Sequence, residues 1–111
     1  MAKYLILFNS TGKAKELMEN ATPEEVKTSM NEWIQWKDMA DKTAKFEWGL
    51  PLQSVNLVTT EGVAESINPA SGYAIMEGDK ETITTLLKTH PHLKREGSTI
   101  DLLEMIPMPG M

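Results

Sequence analysis

One stretch decides the fold of this chain, residues 21–49, which read ATPEEVKTSMNEWIQWKDMADKTAKFEWG. Thr22 and Glu25 have the spacing of a capping box, and Pro23 takes the first helical position, where its missing N–H is not needed. Apolar residues then recur at three- and four-residue steps, which predicts a long helix with one stripe buried against a sheet. At the end of the stretch, Gly49 permits a positive φ where the chain turns towards a strand. The predicted stripe consists of Val26, Met30, Trp33, Ala40 and Ala44.

Two of the three tryptophans lie on this helix. Trp33 and Trp36 are three residues apart, so their rings project from adjacent faces of the helix. One interpretation makes both of them core or dimer-interface anchors, because aromatic side chains bring mostly apolar area. The other places one of them on the wall of a ligand pocket, where an indole offers a flat apolar face and one N–H donor. The sequence leaves both interpretations open.

The composition is that of a single folded domain spanning residues 1–111. The formal net charge is -5 and no cluster of Lys or Arg stands out, which argues against a nucleic-acid partner, because neutralising phosphates needs concentrated positive charge. The absence of cysteine excludes disulfides, thiol nucleophiles and thiolate metal ligands. No apolar run approaches the roughly 18 residues of a membrane span, and the N-terminal run lacks a signal-peptide layout. We therefore expect a cytoplasmic protein with no membrane partner.

Outside the long helix, the sequence predicts strands and one further core helix. Residues 3–8 form a nearly continuous apolar run, typical of a strand buried on both faces. Residues 13–20 have little to bury and are expected to be a surface excursion of one or two helical turns. Asp79 is a good N-cap for a second helix over residues 80–89. The other predicted strands cover residues 53–60, 64–67, 72–77 and 99–106.

This order of elements is β–α–β(β)–β–α–β. Its simplest arrangement is an α+β fold, a split βαβ unit with a four-stranded antiparallel sheet and two helices on one face. The other face of the sheet then has no cover of its own. We expect the chain to cover it by forming a homodimer, with the two sheets face to face.

Short patterns in the same order along nearly the whole chain point to a family. They are Lys3-Tyr4-Leu5, Trp33-x-x-Trp36 followed by Gly49-x-Pro51-Leu52, Ser71-Gly72-Tyr73, His90-Pro91-His92-Leu93, Ser98-Thr99-Ile100 and Met108-Pro109-Gly110. Together they resemble the YCII-related family of the dimeric α-β barrel superfamily. The resemblance implies a ferredoxin-like protomer, an obligate dimer and a pocket between sheet and helices. It implies no particular reaction, because the family is largely uncharacterised.

Chemistry in such a pocket would depend on few residues. His90 and His92 are the only histidines, and histidine is the usual proton shuttle near neutral pH. Because Pro91 stops the second helix, the His90 ring can be aimed into a cleft, or it can donate to the last helical carbonyls. Asp101 lies on the face of the last strand opposite Ile100 and is a candidate general base, or else a paired or solvated carboxylate. The spacing matches no zinc motif, so we expect no metal and no cofactor.

Three possible functions follow. The first is a cofactor-free enzyme acting on a small molecule, with His90 and Asp101 as catalytic candidates and Trp33, Trp36 and His92 as ligand-binding candidates. The second is a non-catalytic dimer that binds a small ligand in the same pocket or acts as an accessory protein. A structural or interaction role for the dimer alone is the third. We expect the pocket between the long helix, residues 90–93 and the sheet, with Trp33 or Trp36 on its wall and His90 at its edge.

Overall fold

Residues 2–110, the part of the chain that a computed structural model describes, contain six strands, three α-helices and one 3₁₀ helix. The strands are β1 (Lys3–Ser10), β2 (Lys45–Pro51), β3 (Asn56–Thr59), β4 (Gly62–Glu65), β5 (Ala70–Glu77) and β6 (Ser98–Met105). The helices are α1 (Gly12–Glu19), α2 (Pro23–Ala40) and α3 (Lys80–Leu87), and Pro91–Lys94 form a 3₁₀ helix. The α+β class predicted from the sequence is confirmed.

Four of the strands form one sheet in the order β2-β5-β1-β6, and each neighbouring pair is antiparallel. In the register, Tyr4 of β1 lies between Met76 of β5 and Glu104 of β6. The predicted four-stranded antiparallel sheet is therefore confirmed, and it is compatible with a ferredoxin-like fold.

One predicted sheet strand is wrong. Residues 53–60 were expected to be half-buried, but they contribute β3 to a separate two-stranded sheet with β4. Leu57 of β3 is 57% exposed, and Val55, just before the strand, is 70% exposed. Their place in the main sheet is taken by β2, which alternates Phe46 and Trp48 with charged residues. Alternating apolar and polar residues predict that a segment is a strand. They do not predict which strand lies beside it, because that pairing depends on contacts between residues distant in the sequence.

Every second residue of β1 belongs to the hydrophobic core. Tyr4, Ile6 and Phe8 are at most 6% exposed and pack against both α2 and α3, so the two predicted core helices cover one face of the sheet. The strand alternates because successive side chains point to opposite faces. The other buried apolar members of this cluster are Trp36, Ala40, Ala44, Phe46, Ala74, Met76, Ile83 and Leu87.

The local signals at both ends of α2 are satisfied. The Thr22 hydroxyl accepts from the Glu25 N–H at 3.1 Å and the Glu25 carboxylate accepts from the Thr22 N–H, so the predicted capping box is confirmed. At the other end, the Asp41 carboxylate accepts from the Phe46 N–H at 3.0 Å, which ties the helix to the start of β2. A hydrogen bond from Lys37 is the main cause that lowers the pKa of Asp41 below its ordinary value.

The predicted buried stripe of α2 is only half correct. Ala40 and Ala44 are buried and Trp33 is half-buried, but Val26 is 46% and Met30 60% exposed. The first half of the helix lies beside the 3₁₀ helix instead of the sheet, so its apolar residues have no strand to pack on. A periodic stripe identifies the face of a helix but not how far the sheet extends beneath it.

Gly49 is required by close packing and not by a positive φ. Its φ lies outside the left-handed region. A Cβ at this position would lie 2.2 Å from the carbonyl oxygen of Tyr73, well inside contact distance. The β2–β5 register shifts between Trp48 and Pro51, and the missing side chain allows the two strands to approach at this irregularity.

Candidate functional site

His90 sits where α3 gives way to the 3₁₀ helix. Its backbone is extended, as expected for a residue that precedes a proline, here Pro91. The ring Nδ1 accepts a hydrogen bond from the His92 N–H at 3.0 Å and so caps the 3₁₀ helix. The side chain is 2% exposed. The expectation that His90 lies at the edge of a pocket is therefore wrong, because the ring is buried and lines neither depression described below.

Aromatic rings surround His90. The centroids of Trp33 and Trp36 lie 4.4 Å from that of His90, and the Phe8 centroid lies at 4.9 Å. Because Nδ1 accepts a hydrogen bond, the proton of the neutral ring belongs on Nε2. That nitrogen is buried and has no hydrogen-bond partner within residues 2–110. We call His90, Trp33, Trp36 and Phe8 the aromatic box.

The two tryptophans occupy different depths in the aromatic box. Trp36 is 6% exposed, and its indole N–H is shared between the Leu86 carbonyl at 3.2 Å and the Thr89 hydroxyl at 3.1 Å, so it anchors α2 to the end of α3. Trp33 is half-buried and stacks on Trp48, with centroids 6.3 Å apart and planes 15° apart. The geometry of Trp36 agrees with the core-anchor interpretation, and Trp33 forms the outer wall.

The environment keeps both histidines neutral at pH 7. Burial, together with the nearby His92 ring, lowers the pKa of His90 from 6.5 to about 3. The pKa of His92 is lowered as well, mainly by burial. Its hydrogen bonds to the backbone of Asn9 and Thr99 raise this pKa, but they do not outweigh the burial. His92 Nε2 donates to the Asn9 carbonyl at 2.9 Å. A base with a pKa near 3 is poorly matched to proton transfer at neutral pH.

Asp101 lies on the other face of the sheet from the aromatic box. In the β1–β6 register it pairs with Leu7, whereas the next residue of β1, Phe8, pairs with Ile100 and packs on the His90 ring. Asp101 is exposed and accepts a hydrogen bond from the Asn9 side chain at 2.9 Å. The structure therefore does not bring Asp101 and His90 together.

A groove of about 560 Å³ runs between the first half of α2 and residues 91–95. It shares two of the three predicted walls, the long helix and the segment after the second core helix, but no residue of the sheet lines it. Its lining is polar and contains neither tryptophan and neither histidine. The lining residues are Thr22, Glu24, Glu25, Thr28, Ser29, Glu32, Pro91, Lys94 and Arg95. We call this the α2 groove.

Charges of both signs face the α2 groove. Lys94 and Glu32 form an ion pair at 2.5 Å across its wall. Arg95, the one arginine of the chain, is half-buried and has no carboxylate partner within residues 2–110. Glu24 also forms no ion pair within residues 2–110.

The sequence contained a signal for these groove residues. Glu25, Thr28, Ser29 and Glu32 follow the helical period just as the apolar stripe does, and they form a polar face on the same helix. What the sequence could not show is that residues 94 and 95 would lie opposite that face, since more than 60 residues separate the two segments.

No protein-family model matches the chain, and no curated protein is similar to it at a significant level. Between residues 2 and 110, no three His, Asp or Glu side chains are grouped closely enough to hold a metal ion. No helix in the same range is long and apolar enough to cross a membrane.

Proposed function

We propose that this chain is a cofactor-free, homodimeric small-molecule-binding protein of the YCII-related, dimeric α-β barrel type, whose ligand lies in the α2 groove. The observation that carries the proposal is the groove itself. It brings the one arginine of the chain to a concave surface beside hydroxyl and carboxylate groups. Ligand sites are typically concave surfaces with a small number of placed polar groups.

The charges of the α2 groove favour a small zwitterion, such as an amino acid. The guanidinium of Arg95 can bind a carboxylate with two parallel hydrogen bonds, and no protein carboxylate within the described residues occupies it. Glu24 lines the same groove and can accept from an ammonium group. The hydroxyls of Thr28 and Ser29 supply further donors and acceptors. In this proposal the aromatic box is the rigid support behind the groove.

The fold and the partner belong to the same proposal. Helix α2 connects β1 to β2 with β5 between them, and α3 connects β5 to β6 with β1 between them, which supports a split βαβ arrangement. On the face of the sheet away from these helices, Leu7 and Ile75 are half-buried and Leu103 and Met105 are exposed. A second copy packed on this face would bury them and form the dimeric barrel.

The experiment is an NMR titration of the ¹⁵N-labelled protein with L-alanine. Propionate, which carries only the carboxylate, and ethylamine, which carries only the ammonium group, are the comparison ligands. We expect L-alanine to shift the amides of residues 22–32 and 91–95 and to bind more tightly than either singly charged compound. Arg95→Gln should weaken L-alanine binding about tenfold, since hydrogen bonds to charged groups contribute about 1.5–3 kcal/mol when well formed and this site is partly exposed.

Lys27→Gln is the matched control, because Lys27 lies on α2, is exposed and does not line the groove. It removes the same unit of charge and should leave the affinity unchanged. If both variants weaken L-alanine binding equally, the effect comes from net charge and not from a contact with Arg95. If Arg95→Gln leaves the binding unchanged, the α2 groove is not the site.

A second candidate is a cofactor-free enzyme whose site is the aromatic box instead of the α2 groove. The buried, unpartnered Nε2 of His90 favours it, because a neutral imidazole can donate a hydrogen bond to a carbonyl oxygen if Trp33 moves aside. Turnover distinguishes the two functions. An enzyme would convert its ligand and lose turnover in His90→Gln with little change in Kd, whereas a binding protein would show no conversion at all.

A further inference from the structure

A second depression, of about 280 Å³, lies on the opposite side of the 3₁₀ helix from the α2 groove, between α3 and the edge strand β6. We call it the α3 slot. Its walls are mostly aliphatic, with Leu87 from α3 and Ile100 and Leu102 from β6. Leu93 of the 3₁₀ helix lines it too and is 38% exposed. The slot offers apolar surface of a size suited to a short alkyl chain.

A buried hydroxyl without a partner lines the same slot. Ser98 Oγ is shielded from solvent and makes no hydrogen bond within residues 2–110, although the Ser98 backbone N–H is paired with the Arg95 carbonyl at 3.1 Å. Buried polar atoms are nearly always paired in folded proteins, so an orphan hydroxyl in a concave site indicates a missing partner. A hydroxyl can donate to a ligand oxygen.

A free positive charge completes the slot. Lys88 lines it from the C-terminal end of α3, is exposed, and belongs to no ion pair in the described part of the chain. None of the lining residues is acidic. The charge of the slot is therefore complementary to an anion, while its walls are complementary to a hydrocarbon.

We infer that the α3 slot binds a short aliphatic carboxylate. The alkyl chain packs against Leu87, Ile100 and Leu102. The carboxylate accepts from the Lys88 ammonium and, once the Ser98 side chain rotates towards the slot, from its hydroxyl. This site is separate from the α2 groove, and the inference is independent of the function proposed for that groove.

The test uses NMR titrations of the full chain, labelled at its Leu, Ile and Val methyl groups, with sodium butanoate, sodium hexanoate and hexan-1-ol at constant ionic strength. Hexanoate should shift the methyl signals of Leu87, Leu93, Ile100 and Leu102. It should bind about 15-fold more tightly than butanoate, because each of its two additional methylenes contributes about fourfold when buried. It should also bind more tightly than hexan-1-ol, which has the same chain without the charge.

Two variants address the head group. Lys88→Gln should weaken hexanoate binding about two- to fivefold, as expected for an exposed ion pair, and leave hexan-1-ol unaffected. Lys80→Gln is the control, since Lys80 begins the same helix and does not line the slot. Ser98→Ala should weaken hexanoate binding about two- to tenfold, as expected for the loss of one hydrogen bond.

Three outcomes would overturn the inference. The first is equal affinity for hexanoate and hexan-1-ol, and the second is hexanoate binding that neither Lys88→Gln nor Ser98→Ala changes. The third concerns a second copy of the chain as the occupant. If Leu93→Glu, a change at the exposed rim, converts a dimer to a monomer in sedimentation, the slot belongs to a subunit interface and not to a carboxylate.

Discussion

At the scale of single residues, the environment of His90 decides its chemistry. The same imidazole that titrates near neutral pH in water is surrounded here by Trp33, Trp36 and Phe8, none of which stabilises a charge through a hydrogen bond at Nε2. Burial therefore lowers its pKa to about 3. The residue acts as the cap of the 3₁₀ helix and as a packing element of the aromatic box.

The lowered pKa of His90 predicts acid lability. In the unfolded chain His90 takes up a proton below its ordinary pKa of 6.5, whereas in the folded chain it stays neutral down to about 3. Its contribution to stability is thus present above pH 6.5 and lost as the pH falls from 6.5 towards 3. Between pH 7 and pH 5 we expect the free energy of unfolding to fall by about 2 kcal/mol on account of His90.

Urea unfolding at pH 7, 6 and 5, at one fixed protein concentration, measures this effect. His90→Phe keeps a ring in the aromatic box and removes the titrating group, so its free energy of unfolding should depend less steeply on pH than that of the natural chain. A smaller slope should remain, because the pKa of His92 is lowered as well. Identical slopes in the two proteins would contradict the assignment.

At the scale of elements, α2 consists of two halves held by different forces. Its second half packs on the sheet through Trp36 and Ala40, which are buried. Its first half has Val26 and Met30 exposed and is held mainly by its capping box and by the neighbouring 3₁₀ helix. Local capping should therefore matter most where tertiary packing is weakest.

Thr22→Ala tests this division of α2. Loss of an N-cap hydroxyl costs about 1 kcal/mol, which corresponds to about fivefold faster amide hydrogen exchange where the helix opens locally. We expect this acceleration in residues 25–30 and little change in residues 36–40. Thr28→Ala, on the same helix and away from the cap, is the control and should not accelerate exchange. Uniform acceleration along α2 would mean that the helix opens as one unit.

At the scale of the whole molecule, the protomer has more uncovered surface than a compact chain of its length. The described residues measure 49 × 44 × 19 Å, and their radius of gyration is 15.7 Å, against about 13 Å for a compact domain. One cause is the β3–β4 hairpin, where Val58 is 71% and Val63 66% exposed. A two-stranded hairpin is at best marginally stable alone. The hairpin and the open sheet face are thus the two places where the proposed second copy would bury the most apolar surface.

The proposed homodimer predicts a clear effect of Leu103→Glu. Leu103 lies on the sheet face away from α2 and α3 and is 46% exposed, so the substitution should leave the protomer folded and place a charge in the interface. Sedimentation equilibrium should give the dimer mass for the natural chain and the monomer mass for the variant. Leu17→Glu on α1 has the same exposed fraction and should remain dimeric. A natural chain that sediments as a monomer at micromolar concentration excludes the dimer.

Patterns within single segments determined much of this fold. The capping box at Thr22, the Asp79 N-cap that accepts from Thr82, and the apolar run that became β1 each depend on residues a few positions apart. Such interactions form wherever the segment is placed, so the sequence alone predicts them. The α+β class and the antiparallel sheet followed from the order of these segments.

Only the tertiary structure decided the site. The exposure of Val26, the pairing of residues 53–60, the neutral state of His90 and the position of Arg95 opposite α2 all depend on which segments distant in the sequence come together. The chemistry of a side chain limits the interactions that it can make. The fold determines which partners and how much water actually surround it. The pKa of a histidine and the shape of a groove are properties of those surroundings, and for that reason they could not be predicted from the sequence alone.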